Sequence, residues 1–198
     1  MIAGRELFDR HYEEITRFFR NKVKDRDFED LVQQTFLGCV SGIDSFRRKS
    51  SFRTYIFAIA TNQSRKYYRA LARQRQHTHA DFHSCSAIDL GATPSSVISR
   101  QREERLLLAA LRRIPIEHQI VLELFYWEEM KAREIAEILG EPEPTVRRRL
   151  QRARKQLRVR IESLTGNRSL IDSTITNLEQ WKHQLQQRLP KRQRFTSA

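Results

Sequence analysis

The sequence predicts an all-α protein built as two small helical modules joined by a flexible linker. Three observations predict it. Gly and Pro are scarce, 6 and 5 in 198 residues, while Leu, Arg, Glu and Gln are abundant, a balance that favours helix. Apolar residues recur at spacings of three and four in several separate segments, the signature of helices with one buried face. Charge also runs in blocks. Residues 1–43 hold seven Lys or Arg against eight Asp or Glu, and residues 44–75 hold nine against Asp44 alone. Residues 100–144 turn acidic again, and residues 145–160 hold eight Arg or Lys and no acid. Two modules that each end in a basic segment would grip a polyanion at two points.

The elements follow in order. Residues 4–24 read as a helix with Leu7, Phe8, Tyr12, Ile15, Phe18 and Phe19 on one face. A second helix starts near Asp27, whose side chain suits the cap position, and continues through Phe28, Leu31, Val32, Thr35, Phe36 and Val40. Gly42, Asp44 and Ser45 break it, a basic loop Arg47–Ser51 follows, and a third helix covers about 52–74. Residues 76–98 lose periodicity and gain Ser, Thr, His, Gly and Pro, which marks the linker between the modules. Helices resume at about 99–112, 116–127, 131–139 and 144–163. Gly166 and Asn167 break the chain again, residues 169–188 form a further amphipathic pattern, and Pro190–Ala198 is a basic tail. The expected division is residues 1–75, linker 76–98, residues 99–163 and a C-terminal extension 164–198.

The most specific stretch is 132–158, AREIAEILGEPEPTVRRRLQRARKQLR. Ile135, Ile138 and Leu139 give its first helix an apolar stripe. Gly140 is placed to end that helix at positive φ, and Pro144 fits the first turn of the next. In the second helix Val146, Leu150, Ala153 and Leu157 recur at four, three and four. Thr145, Arg147, Arg148, Gln151, Arg152, Arg154 and Lys155 lie off that stripe. This is a helix-turn-helix layout, and a helix fixed by one stripe with guanidinium groups elsewhere suits the DNA major groove. In the first module, residues 51–75 interleave Phe52, Tyr55, Tyr67 and Tyr68 with Arg53, Asn62, Arg65, Lys66 and Arg69. Taken singly, each aromatic fits an ordinary core role. Taken together, rings that stack on unpaired bases and cations that hold the backbone suit single-stranded DNA.

Composition narrows the function classes. The formal net charge of +13 points to nucleic acid or an anionic surface. No apolar run approaches membrane-spanning length, and the N-terminus has no signal-peptide core. Cys39 and Cys85 show no paired spacing, which fits a reducing cytoplasm. Neither a cluster of metal-binding carboxylates nor a Gly-rich phosphate loop is present in the sequence, so an enzyme acting on nucleic acid is not expected. His77, His79, His83 and Cys85 match no closed zinc spacing, and neither metal nor cofactor is expected. The apolar stripe Leu170, Ile171, Ile175, Leu178, Trp181, Leu185 and Leu189 is read first as packing against the second module, with a partner-binding helix as the alternative.

Three blocks in this order, DRDFEDLVQQTFLGCV, FRTYIFAIATNQSRKYYR and IAEILGEPEPTVRRRLQRARKQLR, resemble an extracytoplasmic-function (group 4) sigma factor of the sigma-70 family, over about residues 5–160. The resemblance implies two domains, sigma-2 and sigma-4. It also implies binding to core RNA polymerase through the β′ clamp helices and the β flap, promoter recognition and opening, and no catalysis; an anti-sigma factor, a kinase and the C-terminal extension stay open as alternative sources of control. Carried over residue by residue, it assigns Asp27, Glu29, Asp30, Gln33 and Gln34 to the clamp. Arg47, Arg48, Lys49, Ser50, Arg53, Tyr55, Asn62, Arg65, Lys66 and Arg69 fall to the −10 element. Thr145, Arg147, Arg148, Gln151, Arg152, Arg154 and Lys155 fall to the −35 duplex. The chain departs from the family pattern at Gln34, usually Glu, at Phe28, usually small, at Tyr55, near which Trp is common, at Pro144, commonly Gly, and at Arg148, often Ser. On this reading the two modules hang on a tether with no fixed spacing between their basic surfaces.

Overall fold

The structure, a computed structural model, describes residues 2–20, 22–23, 25–46, 50–77 and 106–165. All regular structure among them is helical. Helix α1 is Ile2–Arg20 and α2 is Asp25–Ser41. A 3-10 turn, Ile43–Ser45, leads on towards α3, Phe52–His77. In the second module α4 spans 106–111, α5 is Ile116–Tyr126, α6 is Ala132–Leu139 and α7 is Glu143–Thr165.

In the first module α2 packs on both α1 and α3. Ile15, Phe18 and Phe19 of α1 meet Leu31, Val32 and Cys39 of α2 and Ile56, Phe57 and Ala60 of α3 in a buried core. The Phe18 and Phe57 rings stand edge to face at 5.5 Å, the geometry that aligns ring edge with ring face. Helix α1 stops at Arg20, earlier than its apolar pattern predicts. The chain turns there, with the Lys22 and Val23 amides both bonding back to the Phe19 carbonyl at 2.8 and 3.1 Å. Helix α2 begins at Asp25, two residues before the expected cap at Asp27. Asp27 lies inside the helix, where its carboxylate accepts the Tyr67 hydroxyl at 2.9 Å. Ser51 opens α3, its Oγ accepting the Thr54 amide at 3.0 Å, which satisfies a first-turn donor. At the other end of α2, Gly42 lies so near the Tyr55 hydroxyl that a Cβ there would collide with it.

In the second module α7 packs on α5 and α6. Its stripe Val146, Leu150, Ala153 and Leu157 is buried as the spacing predicts, and continues to Ile161. Gly140 has φ 66° and ψ 33°, the left-handed cap the turn needs, and its amide bonds to the Ala136 carbonyl. Helix α5 is different from the rest. Six consecutive residues, Gln119–Leu124, are buried, so the helix is enclosed on all sides. Part of what encloses it is the first module, because α3 packs against both α5 and α6. The expectation that nothing fixes the spacing between the modules does not hold in this structure. Helix α3 runs two residues, Gln76 and His77, into the expected linker 76–98; the rest of that linker, with its cluster His79, His83 and Cys85, and the stripe after residue 165 lie outside the described residues, as does the His77 side chain.

Candidate nucleic-acid and polymerase interface

The turn at Gly140 presents α7 with its buried stripe inward and a cationic surface outward. Thr145, Arg147, Arg148, Gln151, Arg152, Arg154 and Lys155 are all exposed. They are not equivalent. Arg147 is drawn to Glu143 one turn back, at 2.5 and 2.9 Å. The Arg154 guanidinium lies 5.4 Å from the ring centres of both Phe125 and Tyr126, a cation–π contact that fixes its direction. Arg149, by contrast, is half-buried and bound to Glu141 at 2.7 Å, with Glu117 3.6 Å away. It braces the turn. Beside the second half of α7 lies an open groove of about 510 Å³, with Arg113, Arg152, Lys155 and Arg160 in its lining. Arg113 and Arg160 thus extend the cationic surface beyond the residues the motif names.

On α3 the outward residues Asn62, Lys66 and Arg69 are exposed. Tyr55 sits in an aromatic cluster, its ring centre 4.7 Å from Phe46 and 5.9 Å from Phe52. Ser50 is half-buried, and Arg47, Arg48 and Lys49 lie outside the described residues. Arg53 and Arg65 are already engaged. Arg53 donates to both carboxylate oxygens of Glu14 at 3.1 and 3.2 Å, to the Glu128 carboxylate at 2.8 Å and to the Glu128 carbonyl at 2.8 Å. Arg65 grips Glu117 through two parallel bonds of 2.9 and 2.8 Å. Glu128 also takes two bonds from Arg17, at 3.0 and 3.1 Å. Beneath them Lys22 is buried against Glu123.

The acid–base balance of these groups follows their surroundings. Burial lowers the Lys22 ammonium and raises the Glu123 carboxyl. Burial also raises Glu128, against the pull of Arg17 and Arg53. The hydrogen bond from Arg65 holds Glu117 below the ordinary carboxylate value. Burial alone would raise Glu14, but His11 and Arg53 outweigh it and bring that carboxyl down.

The outer face of α2 is open. Glu29, Asp30, Gln33 and Gln34 are exposed, and the Gln34 amide donates to Asp30 at 2.6 Å. Asp27 is half-buried and held by Tyr67. The sequence reading passed over Leu37 and took Val40 only as part of the second helix's apolar run; the two are 66% and 71% exposed on this helix. Their spacing of three, continued from Gln33, Gln34 and Asp30, is the signal that would have grouped them.

The sigma-70 region 2 family model matches residues 7–74, which hold α2 and most of α3, and the sigma-70 region 4 model matches residues 104–157, which hold the helix-turn-helix. The RNA polymerase sigma factor YlaC of Bacillus subtilis (strain 168) is 32% identical over 154 residues, 77% of this chain and 88% of the relative. The chain belongs to the sigma-70 family of RNA polymerase sigma factors. The ECF RNA polymerase sigma-E factor of Haemophilus influenzae, 27% identical over 80% of this chain and 87% of the relative, places this sigma factor among the extracytoplasmic-function members. Two solved structures share the fold. They are the sigma factor RpoE in complex with the anti-sigma factor NepR from Bartonella quintana (TM-score 0.66, 21% identity, 82% of this chain and 98% of that one) and CnrH in complex with the cytosolic domain of CnrY (TM-score 0.59, 24% identity, 81% and 88%). As a sigma factor, the chain binds core RNA polymerase and acts in promoter recognition at transcription initiation. No helix among the described residues is long and apolar enough to cross a membrane.

Proposed function

We propose that this sigma factor divides promoter recognition between α7, which reads the −35 duplex, and α3 with the loop before it, which holds the −10 element as it opens. The observation that carries this reading is the solvent face of α7. Thr145, Arg148, Gln151, Arg152 and Lys155 are exposed beside a fully buried stripe, which leaves base-reading and phosphate-binding groups free at one end of a rigid helix. Asn62, Lys66 and Arg69 offer the corresponding surface on α3. The working units are residues 1–75 and 99–163, with 76–98 as the connection and 164–198 as an extension.

Core polymerase docks on the outer face of α2. Glu29, Asp30, Gln33 and Gln34 supply polar contacts, and Leu37 and Val40 supply an apolar centre that the water-exposed helix otherwise leaves uncovered. The β′ clamp helices are the partner of this face and the β flap that of the second module. The chain does no covalent chemistry, acts in the cytoplasm, and is open to control by an anti-sigma factor. The test is run-off transcription with core polymerase on a genomic library. Defined start sites that depend on the added chain, and that vanish when Arg148 and Lys155 are both replaced by Ala, support the reading. Unchanged start sites in that variant refute the role of α7.

A further inference from the structure

Arg149 stands apart from its neighbours on α7. Arg147, Arg148 and Arg152 are exposed, whereas Arg149 is half-buried. Its Nη2 donates to Glu141 Oε1 at 2.8 Å, and its Nη1 lies 3.6 Å from Glu117 Oε2. That Nη1 is buried and has no hydrogen-bond partner among the described residues. With one arm engaged and the other enclosed, Arg149 is not free to grip a phosphate. Its partner is a fixed post. Glu141 stands in the turn between α6 and α7, where its amide bonds back to the Ala136 carbonyl at 3.1 Å and seals the helix end that Gly140 caps. Two turns further along the same side of α7, Gln156 meets His118 at 2.6 Å. A polar seam, Arg149 and Gln156, thus runs beside the apolar stripe and ties α7 to the turn before it and to the first turn of α5.

The stripe and the seam do different work. Burial of Val146, Leu150, Ala153 and Leu157 holds α7 on the module, but apolar attraction has no direction and tolerates a small rotation about the helix axis. A charge-assisted hydrogen bond to a fixed carboxylate does not. Rotation is what base reading cannot absorb, because a binding constellation must be held within about 0.5 Å and 10–20° of its productive geometry.

We propose that Arg149, anchored to Glu141, is the positioning residue of −35 recognition: it fixes the rotation of α7, and so decides which bases Arg148 and Gln151 reach, without touching DNA itself. The proposal rests on the α7 reading given above and adds to it the residue pair that sets the reading frame of the helix.

The experiment uses the full chain bound to core polymerase and a promoter mapped by run-off transcription. Affinity is measured at several salt concentrations for that promoter and for versions with single base pairs of the −35 element changed. Arg149→Gln and Glu141→Ala should each lower the ratio of affinities for the mapped and changed sites about tenfold, as losing one base contact does. The slope against salt should stay as in the wild type, because no phosphate contact is lost. The two changes together should cost no more than Arg149→Gln alone, since they break the same pair. A uniform loss at all sites with a slope shallower by about one counterion would make Arg149 a direct phosphate contact and overturns the proposal.

Glu141→Ala gives the sharper sign. Removing a carboxylate beside a cationic DNA-binding surface ordinarily strengthens binding to every sequence, whereas loss of the anchor should weaken the mapped site relative to the others. An unchanged ratio in this variant overturns the proposal. Should Arg149→Gln fail to fold, as its melting curve would show, Glu141→Ala carries the test by itself. Arg148→Ala in the same panel separates the two readings. If it leaves every ratio at the wild-type value, the α7 reading fails and this proposal falls with it. If it relaxes the preference and Glu141→Ala does not, only the positioning role fails.

Discussion

Lys22 and Glu123, 101 residues apart in sequence, are buried against each other. The Lys22 ammonium also donates to the Phe18 carbonyl at 2.6 Å and lies 3.5 Å from the centre of the Phe18 ring. The pair joins the turn after α1 to the enclosed helix α5. Its neutral-favouring shifts, Lys22 down and Glu123 up, come from the same burial.

Removing one member of this pair should be worse than removing both. Lys22→Met leaves a buried carboxylate without a partner and should destabilise the chain by about 3–5 kcal/mol, whereas Lys22→Met with Glu123→Met should recover most of that loss. Urea unfolding of the three proteins decides it. A double variant no more stable than Lys22→Met would mean that the pair is not the buried unit described.

The pH dependence should carry two opposite signs. Glu117 is lowered from 4.5, first by its hydrogen bond with Arg65, so its contribution is complete above 4.5 and is lost as pH falls through the lowered value. Glu128 is raised from 4.5 by burial, so its contribution is complete below 4.5 and is lost as pH rises through the raised value. Glu117→Gln should therefore flatten the acid side of the stability profile, and Glu128→Gln the side of rising pH. Urea midpoints measured across acid and neutral pH would contradict this if both variants followed the wild-type slope.

Within the recognition helix, Arg148→Ala should cost about 1–3 kcal/mol at a correct −35 site and relax the preference at one base. Lys155→Ala should weaken all sequences alike and reduce the salt dependence by about one counterion. Affinities of the polymerase complex for a panel of −35 variants at several salt concentrations separate the two. The reverse pattern would mean that α7 enters the groove at a different angle.

Gly140 has no atom within 4 Å of where a Cβ would stand, yet its φ is +66°. Gly140→Ala should thus lose stability through backbone strain alone, about 1–2 kcal/mol, and Gly140→Asn less. Equal thermal stability of Ala and Gly at this position would show that the left-handed cap is not required.

Leu37→Asp and Val40→Asp should leave folding intact, because both side chains already face water. They should nonetheless reduce retention by core polymerase in a pull-down. Full retention together with an unaltered melting curve would remove the apolar centre from the proposed docking face.

The helices of both modules were legible because their causes are local. The stripe Val146, Leu150, Ala153 and Leu157 repeats with the helical period, and the left-handed cap at Gly140 follows from the one residue type that takes positive φ without strain. Order and spacing of the three family blocks supplied the rest of the functional reading. Boundaries were less legible where packing overrides local preference. The capping chemistry of Asp27 is satisfied instead by Tyr67, a partner 40 residues away.

By itself the sequence determined the helical elements, the helix-turn-helix and the two cationic surfaces, all of which depend on neighbours within a turn or two of the chain. Only the tertiary structure decided which of those cations are already paired with carboxylates. Arg53 and Arg65 read as free cations, and Glu117, Glu123 and Glu128 read as members of an acidic tract, because nothing in residue spacing says which distant charges will meet. Two blocks of opposite sign, 44–75 and 100–144, were the visible trace of that meeting. Its geometry depends on α3 lying against α5 and α6, and on burial that makes each charge depend on a partner for the hydration it has lost.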